Sequence, residues 1–211
     1  MKNQNKSWMS IIEVIVAIFI FTIGLSSIYL IITSSINLNE YGKNQIIASN
    51  LAREWIELVK NLRDSNYSNL HNWNSINPNL TTWFDIVSNQ IQTWTYYKVE
   101  LDYNSIFPWF STKIEKINDF KEWKEFIANL SMKDYELCLN SAKKYTYNCG
   151  SWNNKSGFYR YVKFEDLQYK DDLWNDVIIK DAYKVISKVI WYKKGYHEIN
   201  LTTILANHKR L

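Results

Sequence analysis

The spacing of hydrophobic residues changes along this chain, and it begins with one long apolar stretch. Residues 8–36 are apolar almost throughout, with the single acidic residue Glu13 near the front, and no charge occurs from Val14 to Asn39. At 1.5 Å per residue, about 20 helical residues match the roughly 30 Å hydrocarbon core of a bilayer. Because a backbone in lipid must satisfy its own hydrogen bonds, the stretch is predicted to be a membrane helix.

Beyond this stretch the hydrophobic positions narrow to one helical stripe. Five apolar residues recur at steps of three or four: Ile47, Leu51, Trp55, Leu58 and Leu62. Such spacing is typical of an amphipathic helix, although a coiled coil would also show it, and this stripe is too short to favour one. We predict a single helix from about Ile11 to about Arg63, with a membrane-bound first half and a second half packed on a sheet.

The rest of the chain alternates between apolar and polar residues, as half-buried strands do. Strands are predicted at 95–103, 157–169, 178–192 and 196–205, and the Lys193–Lys194–Gly195 turn makes the last two a hairpin. Residues 66–80 are predicted to be a loop and 118–130 a short helix, whereas 81–92 are ambiguous. The expected fold is α+β, with a long N-terminal helix packed on a C-terminal antiparallel sheet.

Residues 9–18, MSIIEVIVAI, resemble the start of type IV pilins and the related pseudopilins. In that family a prepilin peptidase cuts before the apolar stretch, the new first residue is N-methylated, and a glutamate lies fifth from it. The resemblance implies cleavage between Trp8 and Met9, methylation of Met9, and a role for Glu13 in assembly. Residues 51–66, LAREWIELVKNLRDSN, and the final hairpin also resemble pilin-like proteins, whose fold the chain is then expected to share.

Before the apolar stretch stand two lysines, Lys2 and Lys6, and no acidic residue, which keeps this end cytoplasmic. A secretory signal would have a shorter apolar core and a small-residue cleavage site. The expected organisation is a leader at 1–8, the transmembrane and assembly half of the helix at 9–36, its amphipathic half at 37–64, and a globular tail at 65–211. The alternative is a single-pass anchored binding domain that keeps its leader and never assembles.

Placing a carboxylate such as Glu13 in the apolar part of a membrane costs on the order of 3 kcal/mol of free energy, even on mild scales. The resemblance implies a partner, the free amino group of Met9 on a neighbouring subunit. The alternative is a glutamate that sits among lipid headgroups at the start of the helix.

The implied function is that of a minor type IV pilin or pseudopilin. Its expected partners are other pilin subunits, the prepilin peptidase, the inner-membrane assembly machinery, and membrane lipid before assembly. The protein would first span the membrane once, with its tail outside, and would then enter a cell-surface filament. Adhesion, motility, DNA uptake and secretion are not distinguished by these residues.

The composition of the chain predicts neither a catalytic nor a nucleic-acid-binding function. The net charge is +4, or +2 once Lys2 and Lys6 leave with the leader, which is too weak to predict a nucleic-acid surface. The three histidines, His71, His197 and His208, fit no metal or nucleophile pattern. We therefore expect neither an enzyme nor a cofactor.

Two cysteines, Cys138 and Cys149, lie close together in the predicted tail. In an exported tail they could form a disulfide, which on the chain-entropy model would stabilise by about 3 kcal/mol. The alternatives are free thiols or a metal site, and the lack of a nearby histidine makes a metal site less favoured.

Trp8 departs from the family, which has glycine before the cleavage site. The chain has 10 Trp and 5 Gly, and if all ten were glycine the total would be 15 of 211, near the usual share of about 7%. Some bacteria read the UGA codon as glycine. We hypothesise that Trp8 and most of the others, including Trp55, Trp94 and Trp152, are glycine in the cell, whereas Trp191 suits its strand.

Overall fold

The computed structural model describes residues 5–68, 70–76, 89–101, 112–117, 135–147, 149–150 and 154–207. Within these residues the layout is α+β, with one long N-terminal helix followed by seven strands. The elements are α1 Asn5–Ser68, β1 Thr95–Leu101, β2 Thr112–Lys116, β3 Glu136–Leu139, β4 Tyr145–Thr146, β5 Asn154–Lys170, β6 Asp176–Tyr192 and β7 Tyr196–Ala206. Two compact units share the chain, residues 1–46 and residues 47–211.

Helix α1 extends beyond both of its predicted ends. The prediction that a loop begins at 66 is wrong at that point, because the helix runs on to Ser68. Asn66 is buried there, and its side-chain amide donates hydrogen bonds to the carbonyls of Trp73 and Ser75. The helix then closes with Leu70 in a left-handed conformation, φ 59°, and with a hydrogen bond from His71 N–H to the Asn66 carbonyl.

The seven strands form one sheet in which every pairing is antiparallel. On one side of β5 lies β6, and β7 lies beyond β6. On its other side β5 pairs with β3 near its start and with β1 near its middle, while β2 continues from β1 and β4 from β3. A register shift interrupts the β5–β6 pairing between Asp166 and Gln168.

The three longest strands confirm the predictions for the end of the chain. Strands β5, β6 and β7 contain the predicted segments 157–169, 178–192 and 196–205, and the β6–β7 hairpin turns at 193–195. Strand β1 begins at Thr95 as expected, and residues 102–103 lie outside the described part. Strands β2, β3 and β4 were not predicted, since they have only five, four and two residues. The predicted helix at 118–130 and most of 81–92 also lie outside the described residues.

The core of residues 47–211 lies between the end of α1 and the sheet. Ile47 of the predicted stripe is partly buried, and its other four residues are buried: Leu51, Trp55, Leu58 and Leu62. Ala48, Ala52 and Val59 are fully buried beside them. Alanines four residues apart share a helix face, and their small side chains let the helix backbone approach its neighbours closely. Across from them, Val162 and Val189 of the sheet have no exposed surface.

Candidate assembly segment and the contacts of the packed helix

The first part of α1 exposes its apolar side chains. From Ile11 to Leu38, the exposed fraction of the large apolar residues lies between 49% and 68%. The helix is long and apolar enough to cross a membrane. An exposed apolar surface this large marks a place where lipid or another protein binds.

Four hydroxyl groups in this apolar segment are satisfied within the helix. Thr22 donates to the Phe19 carbonyl, and Ser26 donates to the Thr22 carbonyl, both at 2.8 Å. Ser27 and Thr33 likewise donate to carbonyls three or four residues earlier, at 3.0 Å. An O–H group paired in this way needs no water and no outside acceptor, so these four residues do not oppose an apolar environment.

The residues implied in cleavage and assembly lie on one continuous stretch of helix. Trp8 and Met9 belong to the helical backbone, and Glu13 follows as an exposed residue. Met9 and Glu13 are four positions apart, so their backbones lie about 6 Å apart along the helix axis. The structure thus places the three residues within six consecutive helical positions, whereas cleavage, methylation and pairing between subunits stay predictions.

In the second compact unit, a buried arginine links the helix to the sheet. Arg160 of β5 is 1% exposed, and its Nη1 donates to Oε2 of Glu54 on α1 at 2.9 Å. The guanidinium carbon lies 4.4 Å from the centre of the Trp55 ring, which favours a cation–π contact. Among the described residues, Arg160 Nε has no hydrogen-bond partner.

Tyr147 closes the other side of this arginine. Its hydroxyl donates to the Arg160 carbonyl at 2.7 Å, and its ring centre lies 5.9 Å from that of Trp55. Burial raises the pKa of Tyr147, although the charge of Arg160 opposes the shift. The hydroxyl therefore stays protonated and can keep donating. Sequence reasoning missed Arg160, because a charged residue in an alternating strand is normally assigned to the solvent face.

The two cysteines form a disulfide bond. Cys138 lies in β3 and is fully buried, Cys149 follows β4, and their Cα atoms are 5.4 Å apart. The bond closes the β3–β4 hairpin, in which Lys144 N–H donates to the Asn140 side chain and Asn140 N–H donates to the Lys144 carbonyl. Cysteines joined in this way are not available as thiolate ligands, so a metal site has no support at this position.

The other titratable residues have structural roles or are exposed. Asp171 accepts hydrogen bonds from the Asn175 and Leu173 N–H groups, which lower the pKa of its carboxyl group and cap the β5–β6 turn. His71 is exposed, and the His197 ring stacks on Trp191 with centres 5.3 Å apart. His208 lies outside the described residues. In the described part of the chain, no three His, Cys, Asp or Glu side chains cluster in a way that could hold a metal ion.

Comparison of the chain with protein-family models, with curated proteins and with solved structures gives no match. The function of the chain is therefore inferred from its residues and their arrangement. The most informative feature is the long helix, which is apolar and exposed in one part and buried against a sheet in another.

Proposed function

We propose that this chain is a minor type IV pilin or pseudopilin, a structural subunit assembled through its N-terminal helix into a cell-surface filament. One observation carries the proposal. A single 64-residue helix presents an exposed, charge-free apolar segment behind one glutamate and then continues into a part whose stripe is buried on an antiparallel sheet. The subunit has a structural role and needs no catalytic centre.

An exposed apolar helix requires an apolar environment throughout the life of the protein. Lipid supplies it before assembly, and the helices of neighbouring subunits supply it in the filament. The internally paired hydroxyls of Thr22, Ser26, Ser27 and Thr33 suit both environments, since neither has to offer a hydrogen-bond acceptor. The partners are thus membrane lipid first, then the assembly machinery and other subunits.

Glu13 favours the transfer of the helix from lipid into the filament. A carboxylate in the apolar part of a membrane is costly unless it is paired, and the amino group released at Met9 by prepilin peptidase is a partner of opposite charge. Pairing between neighbouring subunits neutralises both groups as the helices leave the lipid. Assembly therefore depends on Glu13, whereas insertion into the membrane depends on the apolar residues that follow it.

Replacement of Glu13 by leucine tests this role. We expect Glu13→Leu to remain in the membrane fraction but to enter sheared filaments at least about tenfold less, which corresponds to about 1.4 kcal/mol of lost pairing. Glu57→Leu is the matched control, because Glu57 is an exposed glutamate on the same helix outside the apolar segment. Both variants are compared by quantifying the chain in membrane and filament fractions of the cells that make it.

The N-terminal residue of the mature protein tests the pilin function independently of the pairing between Glu13 and Met9. A start at Met9 supports the pilin function, while an intact Met1 supports an anchored domain that never assembles. If Glu13→Leu enters filaments as well as Glu57→Leu does, the pairing with Met9 is wrong even where cleavage occurs.

A further inference from the structure

Two tryptophans occupy backbone conformations that side chains disfavour. Trp94 has φ 60° and Trp174 has φ 63°, both in the left-handed region. Residues with a Cβ atom seldom adopt this region, and single positions of this kind belong mostly to glycine, asparagine and aspartate. Both rings are also exposed, by 58% and 80%, so burial does little to offset the cost of this conformation.

Trp174 lies in the tight turn between β5 and β6. Its N–H donates to the Asp171 carbonyl at 3.0 Å, and the Asp171 N–H donates to the Asn175 carbonyl at 3.0 Å. Short hairpin loops of this kind commonly end in a left-handed residue, where glycine fits best. The hydrogen bonds of the turn involve the backbone of residue 174, and glycine would retain all of them.

Trp94 has its conformation fixed by the sheet. Its N–H donates to the Phe164 carbonyl of β5 at 2.7 Å, immediately before β1 begins. The ring does have surface contacts, a hydrogen bond from Nε1 to Asp166 and Lys163 Nζ 5.0 Å from its centre. Because the backbone bond to Phe164 needs no side chain, glycine would keep the pairing and relieve the left-handed strain.

Other tryptophans differ from these two. Trp55, Trp73 and Trp191 are buried, and none has positive φ. The hypothesis of glycine at Trp55 therefore gains no support from its backbone. Leu70, Lys143 and Lys194 do share the left-handed conformation, so the conformation alone does not mark a residue as glycine. Tryptophan is set apart by its excess, 10 residues against only 5 glycines.

We propose that residues 94 and 174 are glycine in the protein that the cell makes, because UGA codons at these positions are read as glycine. The turn geometry and the composition support this independently. One reading applies to every UGA codon in a gene, so Trp8 becomes glycine wherever its codon is the same. The inference for position 8 rests on the proposed function, because type IV pilins have glycine immediately before the cleavage site.

The gene sequence and the mass of native peptides test the assignment. We expect UGA at both codons, and a tryptic peptide 171–180, DDLWNDVIIK as printed, with glycine mass at position 174. Fragmentation of peptide 64–98 should give the same result at position 94. Peptide 189–193, VIWYK, is the control within the chain, and we expect it to have a UGG codon and tryptophan mass.

A UGG codon at 94 or 174, or tryptophan mass in peptide 171–180, would overturn the assignment. Glycine at 191 would overturn its structural basis, because an extended, buried position would then be recoded as well. The two proposals fail separately. UGG codons together with a mature start at Met9 would leave the pilin function standing, whereas glycine at 174 with an intact Met1 would leave only the recoding.

Discussion

Arg160 places a full positive charge where the chain would otherwise bury hydrocarbon. Its side chain is 2% exposed, while its carboxylate partner, Glu54, remains 43% exposed. Withdrawing a guanidinium from water costs several kcal/mol, and the Trp55 and Tyr147 rings and one carboxylate offset that cost. The contact therefore depends strongly on Glu54, even though Glu54 itself stays partly in solvent.

Neutralising Glu54 should destabilise the fold measurably. We expect Glu54→Gln to lower the free energy of unfolding by about 1–2 kcal/mol, since a hydrogen bond between charged groups is replaced by a weaker one and the guanidinium stays buried. Glu57→Gln, an exposed position on the same helix, should change it by less than about 0.5 kcal/mol. Urea denaturation of the full chain in detergent, followed by tryptophan fluorescence, measures both. Equal effects of the two variants would show that the ion pair does not stabilise the fold.

At the scale of elements, the length of a segment decided how well sequence predicted it. Strands β5, β6 and β7 have 17, 17 and 11 residues, long enough for alternation to appear and for a turn signal to separate β6 from β7. Strand β4 has two residues and exists only because β3 pairs with it. The C-terminal end of α1 was also missed, because the tertiary hydrogen bonds of Asn66 outweigh its ordinary preference for loops.

The β3–β4 hairpin is the element that the disulfide most directly constrains. We expect the double change Cys138→Ser and Cys149→Ser to lower the free energy of unfolding by about 3 kcal/mol, because the unfolded chain loses a closed loop of about 12 residues. Thiol labelling of the native protein should find no free cysteine without reductant and two after reduction. Labelling of both before reduction would contradict the disulfide and the proposed location of the tail outside the cytoplasm.

At the scale of the whole molecule, the two compact units differ in the surroundings that their surfaces require. Residues 1–46 hold the exposed apolar segment, whereas residues 47–211 have their own buried core, formed by the stripe of α1 and the sheet. Sequence reasoning could find the first unit, since an apolar segment with one glutamate is a local pattern. It could not find the Arg160 contact, because residues 54 and 160 come together only through folding.

Removing the first unit should therefore change solubility without changing the fold of the second. We expect a chain that begins at Ile47 to be soluble without detergent, with an intact sheet by circular dichroism and an oxidised cysteine pair. The full chain should sediment with membranes and require detergent. A truncated chain that aggregates or loses its sheet would show that the second unit depends on the first.

The paired hydroxyls of Thr22, Ser26, Ser27 and Thr33 have a mechanical consequence for the proposed filament. Since these groups bond within their own helix, they add no directional contact between neighbouring apolar segments, whose remaining apolar contacts are nondirectional. Apart from the proposed Glu13–Met9 pair, such helices can slide past one another under tension by small steps, because new apolar contacts replace those that are lost. We expect a filament joined in this way to extend under force and to recover its length when the force is removed.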